Sequence, residues 1–174
     1  IRQWEASLPQ NTVDASLPVG YAAFPHAYLP TQDAALAGGL RRSSIHPNCS
    51  YILDWTDPDA TLTWNLDVVQ SGRYEVVAMI ACAEQQVGTE LEVRCGESAV
   101  RERIAEAFDS PVRDRDDRVP RDESYDRAFR PLRLGELHLD AGRRPLELRC
   151  AKKVAPRVAD VRALKLTLRT PSTP

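Results

Sequence analysis

From Tyr51 onward, apolar and polar residues alternate along most of the chain. In TLTWNLDVV at 61–69, Leu62, Trp64, Leu66 and Val68 share one parity, and Thr61, Thr63, Asn65 and Asp67 share the other. A period of two predicts a half-buried strand. Upstream, Tyr51, Leu53 and Trp55 alternate with Ile52 and Asp54, and DPDA predicts a turn. RYEVVAMIAC at 73–82 is more uniformly apolar, as a strand deep in a sandwich should be. After the turn-like EQQVG, LEVRC alternates again and is expected to complete a hairpin with that strand. SAVRERIAEAF fits helix or strand by composition, and its place among strands favours a strand. LRLGELHLDAG, PLELRC and DVRALKLTLR add three more amphipathic strand patterns. At least seven closely spaced strands without βα alternation predict an all-β fold, an antiparallel β-sandwich of the jelly-roll type.

Residues 1–47 are rich in Pro and Ala with weak periodicity, and are expected to lie as an irregular segment over the core. A short helical turn is expected around Asp33 to Leu40, capped by Asp33 and weakened by Gly38 and Gly39. The reading is one module over 1–174, with the sandwich at 48–169. At 174 residues the chain is long enough for a proper core. Its net charge of −2 provides no overall positive field for nucleic acid. No apolar run approaches the roughly 20 residues of a membrane span. The chain opens without Met and without signal-peptide features, so it is read as a fragment or processed product.

Candidate chemistry is sparse. No GxSxG occurs, and no His sits in a recognisable arrangement with a nucleophile. Paired acids such as Glu106 with Asp109, and Asp116 with Asp117, are the only sequence hint of a glycosidase. Cys82, Cys95 and Cys150 follow the apolar parity of their strands, which favours buried free thiols over disulfides, and without a CxxC pair a zinc site has little support. The densest chemistry lies in a loop at 109–131, where Arg113, Arg115, Arg118, Arg121 and Arg127 interleave with acids. One reading is a mutually screened surface loop. A second is oxyanion recognition by the guanidinium forks of Arg118 and Arg121, with Glu123 beside them and Tyr125 offering a ring to a sugar. A third is docking on a companion domain whose carboxylates meet the loop arginines. Trp55, just before the DPDA turn, is expected at the sandwich rim as a stacking platform, whereas Trp64 is read as core. No cofactor is expected. A structural calcium is considered at Asp57, Asp59 and Asp160.

The run WTDPDATLTWNLDVVQSGRYEVVAMIAC, then VGTELEV, DRVPRDESYDRAFRPLRLGELHLDAG, LELRC and DVRALKLTLR, resembles the C-terminal accessory region of bacterial formylglycine-dependent sulfatases of the arylsulfatase type. The resemblance covers about residues 50–169. Pieces such as the Gly-Arg-Tyr strand also resemble galactose-binding-like carbohydrate-binding modules. The resemblance implies an exported, secreted or periplasmic parent that hydrolyses sulfate esters, with the catalytic sulfatase domain as partner in the same chain. It also implies carbohydrate, sulfated in the finer version, as ligand. The sulfatase signature C/S-x-P-x-R is absent: SLPQN at 7–11 and SLPVG at 16–20 lack the Arg, so no catalysis is expected from this chain. The alternatives are a structural docking domain without a ligand, or a free-standing carbohydrate-binding module.

Overall fold

A computed structural model describes residues 16–46, 48, 50–113, 119 and 123–169. Among the described residues twelve strands follow in chain order: β1 (Leu17–Val19), β2 (His26–Pro30), β3 (Ala35–Ala37), β4 (Arg41–Arg42), β5 (Ile52–Leu53), β6 (Thr61–Val68), β7 (Gly72–Ala81), β8 (Glu90–Cys95), β9 (Ser98–Arg103), β10 (Arg130–Leu139), β11 (Gly142–Lys152) and β12 (Asp160–Arg169). Short 3-10 turns at Thr31–Asp33 and Glu84–Gln86 are the helical pieces among the described residues. One sheet runs β1-β6-β11-β8-β9, with β3 also on β6; the other runs β10-β7-β12-β5-β4, with β2 also on β12. The pairings are antiparallel except β1 on β6.

The alternation seen in the sequence decides which side chains fill the space between the sheets. Leu62, Trp64 and Leu66 of β6 and Tyr74, Val76 and Ala78 of β7 belong to one core cluster, all at 0% exposure. Each large side chain buried in this way contributes about 1.5–3 kcal/mol. Trp64 retains its polar requirement by donating from Nε1 to the Pro30 carbonyl at 2.8 Å. The central position expected of 73–82 is found: β7 lies between β10 and β12. The sheets approach along β9 and β10, where β10 carries a bulge between Arg133 and Gly135. Gly135 has φ +136°, and a Cβ there would lie 3.1 Å from Val100 of β9.

Several expectations are corrected. LEVRC does not form a hairpin with 73–82: β8 pairs with β9 and β11 in the other sheet. The 3-10 turn at Glu84–Gln86 lies in the crossing, with the Gln86 side chain accepting from Ala83 N at 2.7 Å. The described residues 16–46 are not an irregular cover, since β1 and β3 extend one sheet and β2 and β4 the other. The turn expected near Asp33 is a 3-10 turn ending at Asp33, and β3 replaces the helix because each of its residues pairs with β6. The strand expected over 51–55 ends at Leu53, because Asp54 adopts φ +52°, a conformation that breaks the ladder. The ambiguous segment at 98–108 is strand through Arg103. Cys82, Cys95 and Cys150 are buried free thiols, and burial pushes each of them above the usual thiol value.

Candidate functional site

The charged loop springs from one end of the sandwich, where β7 finishes and β12 begins. Its two stems run side by side: Arg113 N donates to the Asp126 carbonyl at 2.9 Å, and Ser110 Oγ donates to the Ala128 carbonyl at 2.8 Å. Arg118 and Arg121, with Asp116 and Asp117, lie outside the described residues. The described stem spends its polar groups internally. Ser124 is buried and hydrogen-bonded to Ser43. Arg162 pairs with Asp126 at 2.8 Å. Phe129 packs edge-on to Tyr51, ring centroids 5.3 Å apart.

Arg127 holds this stem down. Its side chain is 9% exposed, donating from Nη1 to Asp160 at 2.6 Å and from Nη2 to Asp109 at 2.7 Å and the Ser110 carbonyl at 2.9 Å. Nε, also buried, has no partner among the described residues. Burial holds the Asp160 carboxyl above its ordinary range, opposed by Arg127 and Arg157. Next to it, hydrogen bonds from Arg157 and Arg41, each 2.5 Å, hold Asp54 below the carboxylate range.

Beside the stem, the segment 104–108 crosses the end of β7, with Cys82 and Phe108 exchanging backbone hydrogen bonds of 3.0 and 2.9 Å. Between this segment and the start of β10 lies a recess of about 190 Å³, with Ile80, Cys82, Ile104 and Leu132 on its apolar side. Glu106 and Arg130, paired at 2.6 Å and 68% and 48% exposed, line its polar side together with Arg133. A small apolar floor with a few convergent polar groups is the ordinary form of a small-molecule site. This one has room for a single sugar-sized group.

The sequence candidates separate here. Glu123 accepts from Asn48 Nδ2 at 3.4 Å, and Tyr125 is half-buried in the stem. Trp55 is not a rim platform. It is 1% exposed, and its Nε1 donates to the Asp57 carbonyl at 2.7 Å, because the turn at Asp54 swings the ring into the core. The acids considered for calcium are not assembled: Asp160 is committed to Arg127, and Asp57 Oδ1 accepts from Asp59 N at 2.9 Å. Among the described residues, no group of three His, Cys, Asp or Glu side chains is placed to hold a metal. Glu106 and Asp109 are each claimed by a different arginine rather than facing each other as an acid and base. The sequence offers Glu106 only as half of a paired-acid site and Arg127 only as one of the loop arginines; the recess and the anchoring role appear in the structure alone. For Arg127 a signal existed: it alternates with Tyr125 and Phe129, which puts it on the inward parity of the stem.

No protein-family model and no curated protein matches this sequence. Among solved structures, the chain is similar to a family 35 carbohydrate-binding module from Clostridium thermocellum, with TM-score 0.56 and 11% identity over 83% of this chain and 98% of that one. It is likewise similar to the carbohydrate-binding module CBM6cm-2 of Cellvibrio mixtus lichenase 5A, in complex with cellotriose (TM-score 0.54, 12% identity, 83% of this chain and 98% of that one). A Podospora anserina GH26-CBM35 β-(1,4)-mannanase gives TM-score 0.56 and 13% identity over 86% of this chain. The chain spans 29% of that mannanase's length. The likeness is one of fold, the antiparallel β-sandwich of carbohydrate-binding modules.

Proposed function

We propose that this chain is a non-catalytic carbohydrate-binding module, with the recess between Glu106 and Arg130 as its sugar site. The observation that carries the proposal is the recess itself, an apolar floor bordered by a carboxylate and two guanidinium groups at the loop end of a sandwich. Such a lining suits a sugar ring, whose faces are apolar and whose rim is a ring of hydroxyl donors and acceptors. The shared fold of isolated carbohydrate-binding modules supports it. The ligand is extracellular glycan, and the module works in a secreted or periplasmic parent.

The finer reading gives the glycan sulfate groups and makes a sulfatase the parent. It rests on the loop sequence, and no sulfatase is among the neighbours named above. Under this reading Arg118, Arg121, Glu123 and Tyr125 reach the ligand from the loop.

Titration calorimetry against neutral and sulfated oligosaccharides tests both levels. Arg130→Ala and Glu106→Gln should each weaken binding about tenfold, the loss of one charged hydrogen bond, while the fold persists because both side chains are largely exposed. Arg118→Ala and Arg121→Ala should weaken binding of sulfated sugars only. Silence across the whole glycan set, or recess variants that bind like the wild type, would sink the proposal.

A further inference from the structure

Away from the loop end, exposed aromatic side chains gather on one sheet edge. Phe24 is 77% exposed and Tyr28 50%, while Leu29 between the sheets is 1% exposed. The pairing of β2 with β12 sets Tyr28 opposite Lys165 and His26 opposite Thr167. It continues one step further, where the Pro25 carbonyl accepts from Leu168 N at 2.8 Å. Alternate residues of a strand face the same way about 7 Å apart. His26 and Tyr28 therefore face outward together, and Phe24 stands exposed just before the strand, at the close of the Tyr21–Phe24 turn, so that the rings line the edge. The row is held in place, because the strand is laddered and His26 Nδ1 lies 3.0 Å from Thr167 Oγ1.

The sheet surface beside this row is cationic. Arg73, Arg133, Lys165 and Arg169 stand against two carboxylates, Glu75 and Glu136. Glu75 is taken up by Arg133 at 2.6 Å and Arg169 at 2.7 Å, and Lys165 meets no carboxylate among the described residues. On a chain of net charge −2 this excess is local. Exposed apolar surface that is contiguous and rimmed by polar groups marks interaction sites. Rings stack on the apolar faces of sugars, and uncompensated cations select acidic groups.

We propose that the β2 edge is a second binding surface, a platform for an extended acidic polysaccharide that stacks on Phe24 and Tyr28 and presents a carboxylate or sulfate to Lys165. The proposal rests on the carbohydrate-binding reading above, but on a surface that shares only Arg133 with the recess. Exposed rings spread along an edge suit a chain of several sugars, whereas the recess holds one. Affinity electrophoresis through gels containing polygalacturonate, dextran sulfate or neutral hydroxyethylcellulose tests it, the two acidic polymers separating uronate from sulfate recognition. At least one acidic polymer should retard the whole chain, and the neutral polymer at least tenfold more weakly. Phe24→Ala/Tyr28→Ala should weaken retardation about tenfold or more. Lys165→Gln should reduce its dependence on salt. Retardation of the double variant equal to wild type, or equal retardation by the neutral polymer, overturns the platform. So does self-association in sedimentation that the double variant abolishes, because the edge would then join two copies. If neither acidic polymer retards the wild type the platform falls, while neutral-oligosaccharide binding lost in Arg130→Ala would leave the recess reading standing.

Discussion

Arg127 is the residue on which the loop end depends most. A buried cation matched to Asp160 is stable only while both partners are present, so removing one strands the other in a poorly solvated site. Arg127→Ala should lower unfolding free energy by about 3 kcal/mol in urea titration, and Arg127→Met combined with Asp160→Leu should recover most of that loss. A double variant no more stable than the single one would count against the buried pair as the anchor. Arg127 was legible in principle, because it alternates with two aromatics, whereas its partners, 18 and 33 residues away, were not. Trp55 shows the converse. Its position before a turn suggested a rim, but the positive φ of Asp54 changes the parity that the rim reading assumed.

At the scale of elements, the outer face of β8 shows how a sheet carries charge. Glu92 is 5% exposed, yet it points away from the core and is covered by arginines of its neighbours: Arg101 of β9 at 2.8 Å and Arg149 of β11 at 2.6 Å. The hydrogen bond from Arg101, then the bonds from Arg149, hold its carboxyl below the ordinary value of 4.5 against the opposing effect of burial. A carboxyl depressed in the folded state stabilises the fold fully above its unfolded value, and that stability is lost as pH falls through the folded value. Thermal unfolding should therefore show wild-type Tm falling from pH 5 to pH 3, and Glu92→Gln should show a shallower fall. Glu75, depressed chiefly by its hydrogen bond from Arg133, acts in the same direction and keeps the slope from vanishing. The strand positions behind these pairs were legible from alternation. The neighbours were not, and the β7–β8 hairpin was misjudged because adjacency in sequence is only a tendency of strands.

For the whole molecule, the space between the two sheets governs reactivity. Cys82, Cys95 and Cys150 line that core, at 2%, 8% and 8% exposure. In a Cys49→Ser background, a thiol reagent at pH 8 should label the native protein slowly and label all three rapidly in denaturant. Rapid native labelling would mean that the core opens easily. The sequence by itself determined the all-β class, most strand positions, the inward parity of the three cysteines and the core role of Trp64, because alternation is a local property imposed by the pleat. Only the tertiary structure decided that residues 16–46 add strands to both sheets, that Trp55 turns inward, that Arg127 anchors the loop and that Glu106 and Arg130 border a recess. Each of these depends on a segment arriving from far along the chain, and loop side chains without a repeating pattern carry no local record of what they will meet.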